Sequence, residues 1–135
     1  MIKDETRLRV RYADTDQMGY VYYGKFPEFY EVGRAELLRN LGYPYKKLEE
    51  KGIWCPVVEI RIRYVRAAMY DDLLLVRTEI RKIPSRNIIF HSEVYNQKGK
   101  LCNAGYVKLA FLDAKTGKAT VMPEDLLEII NKEFE

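Results

Sequence analysis

Apolar and polar residues alternate with period two over Thr6–Tyr12, where Leu8, Val10 and Tyr12 interleave with Arg7, Arg9 and Arg11. That alternation predicts a half-buried strand. Beyond the acidic turn that follows, the period lengthens. Phe26, Phe29, Tyr30, Gly33, Leu37, Leu38 and Leu41 recur at three- and four-residue intervals, with Glu28, Glu31, Arg34 and Arg39 mostly off that stripe. This is the pattern of a long amphipathic helix. Pro27 suits its first turn, where a missing N–H costs nothing, and Gly42 suits the position just past its end. About sixteen residues at ~1.5 Å each make a rod of ~24 Å, enough to cross a small sheet. Gly33 interrupts the stripe at a cost of about 1 kcal/mol relative to alanine, which makes sense if another backbone crosses the helix closely there.

A short helical turn is predicted from Pro44 to Lys51, closed by Gly52. Val58, Ile60, Ile62 and Tyr64 then alternate with Glu59, Arg61 and Arg63 as a second strand. Longer strands follow from Asp71-Asp72 to about Ile83, over Ile88–Tyr95 and over Leu101–Leu112. The intervening segments, Pro84–Asn87, Asn96–Gly99 and Asp113–Gly117, read as tight turns. Pro123–Phe134 closes the chain as a small amphipathic helix carrying Leu126, Leu127, Ile129 and Ile130. Connections after Tyr70 are too short for crossovers, so the sheet must be largely antiparallel. The expected architecture is α+β: a curled antiparallel sheet of five to six strands wrapped around one long central helix. No linker or repeat divides the chain, so residues 1–135 form one domain. One helix covers only one face of such a sheet, which leaves the other face or an edge for a second subunit.

Composition changes this picture little. The chain has 135 residues, of which 47% are hydrophobic and 13% aromatic, enough to build a real core. Eleven tyrosines offer apolar rings that keep a hydroxyl for water or a partner. A net charge of +3 from 23 basic and 20 acidic residues is too small and dispersed for a nucleic-acid footprint. Two cysteines cannot build a disulfide framework. With no signal peptide and no apolar run long enough to span a membrane, the expectation is a reduced, cytoplasmic protein.

The chemistry gathers at Asp14–Phe26. Asp16 lies in a turn three residues before Gly19, just ahead of the helix start. A carboxylate there can attack or deprotonate, while the free N–H groups around Tyr23 and Gly24, with the helix dipole, can hold an oxyanion. Asp16 equally suits a turn cap, and Asp14 reads as a structural turn residue. No metal is expected, because no histidine or further acidic ligand lies near the two carboxylates. His91, the only histidine, falls mid-strand on the face of Ile89, Glu93 and Tyr95, where a structural or solvent-facing role is expected. Neither Cys55 nor Cys102 sits in a nucleophile context. Arg81, Lys82, Ser85 and Arg86 form a basic cluster at a strand end and turn that could hold phosphates. Tyr20, Tyr22 and the Phe26–Tyr30 aromatics could line an acyl pocket, though core packing accounts for most of them.

Arg11–Phe26 reads R-Y-A-D-T-D-Q-M-G-Y-V-Y-Y-G-K-F. With Tyr30, Arg34 and Glu36–Leu38 in the helix, and Arg63-Tyr64 and Ala68-Tyr70-Asp71-Asp72 beyond it, this stretch resembles the 4-hydroxybenzoyl-CoA thioesterase family of hotdog-fold proteins. It is most similar to the bacterial acyl-CoA thioesterases of the Tol–Pal-associated branch. The resemblance covers nearly the whole chain. It implies a hotdog fold and hydrolysis of an acyl-CoA thioester to free acid and CoA, with no cofactor. It also implies Asp16 as the catalytic carboxylate and the N–H at Tyr23 as the group that polarises the carbonyl. Many members of that branch have histidine where this chain has Tyr23, and a tyrosine there is similar to the hydroxybenzoyl branch instead. The resemblance further places basic turn residues, Arg86 first with Ser85 beside it, at the nucleotide's phosphates, and implies a homodimer or a homotetramer of two dimers. A non-catalytic acyl-CoA or acyl-carrier-protein binding module, and a thioesterase acting on acyl-carrier protein, are the alternatives, since a fold does not settle a function.

Overall fold

The computed structural model describes Met1–Glu135. Five strands form one antiparallel sheet: β1 (Ile2–Arg9), β3 (Val57–Tyr64), β4 (Leu73–Ile80), β5 (Asn87–Tyr95) and β6 (Leu101–Ala110), in the order β1-β4-β5-β6-β3. Two short strands, β2 (Ile53–Trp54) and β7 (Leu112–Asp113), pair as a separate ribbon. The central helix α1 (Phe26–Asn40) lies across the sheet, with α2 (Tyr45–Glu50) after it and α3 (Glu124–Glu133) at the end of the chain.

The expected α+β architecture is present, and α1 ends where its sequence says it should. Gly42 takes φ +82°, Tyr43 donates its N–H to the Leu38 carbonyl and Gly42 donates to Arg39, both at 2.9 Å. This is a Schellman closure, which satisfies carbonyls the helix leaves free. The buried face of α1 carries Phe26, Phe29, Tyr30, Leu37 and Leu38. These side chains pack on Leu74 and Val76 of β4, Phe90 and Val94 of β5, and Val107 and Leu109 of β6. Burying each such side chain contributes ~1.5–3 kcal/mol. Gly33 is needed for this contact, because a Cβ there would sit 2.4 Å from Thr78 Oγ1 and 2.8 Å from Val76 Cγ1. The close neighbours are thus β4 side chains, not the crossing backbone expected from the sequence.

Several boundaries differ from the sequence pattern. β1 starts at Ile2 and stops at Arg9, not Thr6 to Tyr12. Lys3, Asp4 and Glu5 hide its beginning, yet their backbone pairs with β4 in continuous register from Ile2↔Ile80 to Arg9↔Leu73. Tyr12, expected on the buried face, is 79% exposed because the chain leaves the sheet into a 3₁₀ turn over Tyr12–Asp14. β4 is shorter at both ends than the apolar run suggested. The strand expected over Leu101–Leu112 breaks after Ala110, since Leu112 and Asp113 turn away to pair with β2. β3 has the alternation of a half-buried strand but lies at the sheet's edge, with Val57, Val58, Ile60 and Tyr64 all exposed.

Candidate functional site

The turn before α1 is built around two carboxylates with different surroundings. Asp14 is buried, accepting the Arg11 N–H at 2.9 Å and the Arg11 guanidinium at 3.1 Å, with Lys25 Nζ at 3.9 Å. Burial pushes its carboxyl up, but the hydrogen bonds from Arg11 and the charges of Arg11 and Lys25 outweigh that and hold it below the usual carboxylate range. Its carbonyl also accepts the Tyr22 N–H at 2.8 Å, tying the two arms of the turn together. Asp14 is therefore the structural residue its position suggested.

Asp16 sits on the outside of the same turn. One carboxylate oxygen, Oδ1, accepts the Met18 N–H at 2.9 Å, and its main chain pairs with Tyr20 and Gly19. Gly19 supplies the positive φ of +78° that closes this hairpin. Both expected roles are thus compatible with the geometry: the side chain orders the turn and still faces a cleft of about 340 Å³. That cleft is walled mainly by apolar groups, among them Tyr20, Val21, Tyr23 and Phe26 on one side and Tyr64 and Val65 on the other.

A 3₁₀ turn over Tyr23–Lys25, leading directly into α1, holds the free donors. The N–H groups of Tyr23 and Gly24 donate to no group in the chain, as expected for the first residues of a helical turn. The two peptides that carry them are pinned through their carbonyls. The Tyr22 carbonyl accepts the Lys25 N–H at 2.9 Å, and the Tyr23 carbonyl accepts the Tyr64 hydroxyl at 2.7 Å. In a trans peptide the C=O and the following N–H point in opposite directions, so holding each carbonyl aims the N–H behind it. Tyr64, which the sequence offered only as a strand residue, is thereby a positioning group. Its phenol links β3 to the helix start, and its ring meets Phe26 edge-on with centroids 5.8 Å apart.

The remaining expected site residues are dispersed. Tyr20 lines the Asp16 cleft, whereas Tyr22 is exposed and stacks against Tyr23 at 4.5 Å between ring centroids. Gly24 is crowded, for a Cβ there would meet the Tyr22 ring at 2.6 Å. Phe26, Phe29 and Tyr30 are core residues, and the Tyr30 hydroxyl donates to Asn103 Oδ1 at 2.6 Å beneath α1.

Ser85 and Arg86 lie on the β4–β5 connection, at the opposite end of the sheet from Asp16. β5 separates those ends by nine residues, ~30 Å of strand, so one subunit does not bring them together. Arg81, Lys82 and Ser85 line a cleft of about 460 Å³ with Asn87, Ile89 and His91, and Arg86, next to Ser85 in the chain, is not part of its wall. His91 lies on the sheet face away from α1, opposite Glu79 and Tyr106. Burial, then Arg81 and Lys82, lower its pKa against the pull of Glu79. Both cysteines carry free thiols.

The sequence also misplaced one residue. Arg34, assigned off the apolar stripe, is only 6% exposed. Helical spacing places it on the buried side, four residues after Tyr30 and four before Leu38, and its charge alone argued against that position.

Comparison with known proteins identifies the family of this chain. A family model described as the thioesterase-like superfamily matches residues 10–130. The acyl-CoA thioesterase YbgC of Haemophilus influenzae is 34% identical over 120 residues, covering 88% of each chain. The crystal structure of DHNA-CoA thioesterase from Staphylococcus aureus superposes with a TM-score of 0.94 at 29% identity, covering 99% of this chain and 92% of that one. A 4-hydroxybenzoyl CoA thioesterase structure shares the fold with a TM-score of 0.84 at 21% identity, covering 96% of this chain and 99% of that one. With a hotdog sheet around α1, and a family match from the end of β1 into α3, the chain belongs to the thioesterase-like superfamily.

Proposed function

We propose that this protein hydrolyses acyl-CoA thioesters to a free carboxylic acid and CoA. One observation carries the reading: the Asp16 carboxylate faces an apolar cleft at the start of α1, where two consecutive backbone N–H groups have no acceptor. A thioester carbonyl set there would meet donors at its oxygen and a carboxylate near its carbon. The acyl-CoA thioesterase name of the YbgC relative supports the same activity.

Asp16 acts in one of two ways. As nucleophile, it adds to the carbonyl carbon, the C–S bond breaks, CoA leaves as thiolate, and water then hydrolyses the mixed anhydride. As general base, it takes a proton from a water that attacks directly. One turnover in ¹⁸O-water separates the routes. Anhydride opening by water at the Asp16 carbonyl leaves label in the protein, and direct attack leaves it only in the product acid. Thiol release against acyl-CoAs with short, long and aromatic chains tests the activity itself. Absence of release with every member would overturn the proposal.

The basic cleft of Arg81, Lys82 and Ser85, with Arg86 at its margin, is the proposed phosphate contact for the nucleotide end of CoA. Since it lies at the far end of the sheet from Asp16, the cleft would serve a site completed by another subunit. The β3 edge, with exposed Val57, Val58 and Ile60 and unpaired backbone groups, is the proposed pairing surface for a homodimer. A homotetramer of two such dimers extends the same assembly. Light scattering that finds a monomer at micromolar concentration would refute it. The free thiols of Cys55 and Cys102 suit a reducing compartment, and we assign the protein to the cytoplasm on that ground.

A further inference from the structure

The basic cleft reaches farther than the turn that gives it Lys82 and Ser85. Its wall continues along β5 through Asn87 and Ile89 to His91, on the sheet face away from α1. Asn87 and His91 are separated by ~13 Å of strand, too far for one phosphate group to serve both ends. The nucleotide end of CoA carries a diphosphate and a separate 3′-phosphate. A contact at the turn accounts for one of them and leaves the His91 end of the cleft unassigned.

That end differs from the rest of the wall. His91 is half-buried, whereas Arg81, Lys82, Ser85, Asn87 and Ile89 are exposed. No carboxylate belongs to the wall. Glu79 of β4 lies opposite His91, but Arg81 Nε donates to its Oε1 at 3.1 Å, which offsets its charge. The two Nη groups of Arg81 remain as donors for an anion. On the β6 side, Tyr106 lies opposite His91 with ring centroids 6.0 Å apart, and Lys108 lies opposite Ile89. Glu93, the next outward residue of β5, has Arg77 at 3.8 Å. The imidazole is thus flanked by more free cations than free carboxylates. Burial, then Arg81, lower its pKa, with Lys82 adding to them and Glu79 opposing. In the free protein at pH 7 it is neutral.

We propose that His91 is a second phosphate contact of this cleft: a phosphate group of the nucleotide end of CoA lies between His91 and Arg81, and its binding draws a proton onto the imidazole. This rests on the reading of the cleft as the contact for that end of CoA. A neutral imidazole offers one N–H donor and an imidazolium offers two. A phosphate beside the ring favours the charged form, so His91 titrates at a higher pH in the complex than in the free protein. Between those two values binding takes up a proton. Affinity therefore rises as pH falls through the higher value and levels off below the lower one.

Calorimetric titration with CoA itself reads this without turnover. Run at about pH 6.5 in two buffers of different ionisation enthalpy, it counts the protons exchanged on binding. The parent should take up roughly half a proton or more beyond His91→Gln. Between about pH 7.5 and pH 5.5, the gain in CoA affinity should be ~3-fold or more larger in the parent, the scale of one partly exposed charge contact. Titration of the 3′-phosphate itself, near pH ~6, is common to both proteins and cancels in the comparison. Dephospho-CoA, which lacks the 3′-phosphate, assigns the group. Uptake that persists with it puts the diphosphate at His91, and uptake that vanishes puts the 3′-phosphate there. Equal proton uptake and equal pH slopes in parent and His91→Gln overturn the proposal.

His91→Lys carries the charge permanently and guards against a mere folding defect in the glutamine variant. At about pH 7.5 it should bind CoA ~3-fold or more tighter than His91→Gln. Affinity no better than that of His91→Gln also overturns the proposal. Lys82→Ala separates this inference from the reading beneath it. If Lys82→Ala weakens CoA binding while the His91 variants match the parent, only the assignment of His91 fails. If neither Lys82→Ala nor His91→Gln alters CoA affinity, the cleft is not the nucleotide contact and both readings fall.

Discussion

Asp14 and Asp16 are the same residue type two positions apart on one turn, and the fold uses them in opposite ways. The inner side of the turn surrounds Asp14 with Arg11, Lys25 and backbone donors, so its charge is fully committed to structure. On the outer side, Asp16 has one backbone donor and faces a cleft, so much of its carboxylate is left for chemistry. In the proposed reaction Asp16 is available because the chain leaves it under-satisfied, where Asp14 is fully engaged by Arg11, Lys25 and the backbone.

The sharpest way to break this contrast is Asp16→Asn, which keeps the size of the side chain and its turn propensity. Turnover should fall by at least ~10²-fold, the lower range for losing a positioned acid–base group. Melting temperature and acyl-CoA binding should stay near parental. Loss of one charge near the helix dipole, ~0.3–1 kcal/mol, is too small to imitate that drop. A folded, ligand-binding variant that still turns over at parental rate would end the assignment of Asp16.

Asp14→Asn should show the reverse pattern. It removes a charged acceptor from Arg11 and Lys25, so the melting temperature at pH 7 should fall by roughly 5 °C. Turnover per folded molecule should suffer far less than in Asp16→Asn. The pH dependence gives a second reading. Asp14 has a folded pKa below its unfolded value of ~3.9. Its stabilisation is therefore complete above about pH 5 and is lost as pH falls through the lower folded value. Thermal melts between pH 7 and pH 3 should fall less steeply in Asp14→Asn than in the parent. Identical slopes would mean that the pair contributes nothing in the folded state.

Tyr64→Phe sharpens the cleft side alone. It frees the Tyr23 carbonyl and hence the aim of the Gly24 N–H. One neutral hydrogen bond corresponds to ~2–10-fold in kcat, with KM little changed. If KM alone rises, Tyr64 contacts substrate and does not position the donor.

The smallest effect belongs to the far end of the sheet. Arg86→Ala should raise KM by only a few-fold, since an exposed charge contributes ~0.2–1 kcal/mol, and leave kcat nearly unchanged. KM in the parent should also climb more steeply with salt than in the variant. Equal salt slopes would reduce Arg86 to a surface charge.

Much of this molecule follows from local pattern. The length of α1, its Gly42 stop and the antiparallel order of the later strands can all be read from residue type and spacing. These features depend on backbone preference and on which face of one element is apolar, both of which are local properties. The family resemblance at Arg11–Phe26 added a role for Asp16 that turn propensity alone left open.

Tertiary structure decided the rest, wherever a residue's surroundings come from distant chain. Backbone pairing with β4 made Ile2–Glu5 a strand despite its charges. The edge position of β3 exposed an alternation that reads as half-buried. Thr78 and Val76, not a backbone, explain Gly33. Arg34 falls on the buried side of α1 between Tyr30 and Leu38, and α2 and the β2 ribbon fold over its charged end. Periodicity reports which face of an element is apolar, but burial also depends on what else is laid against it.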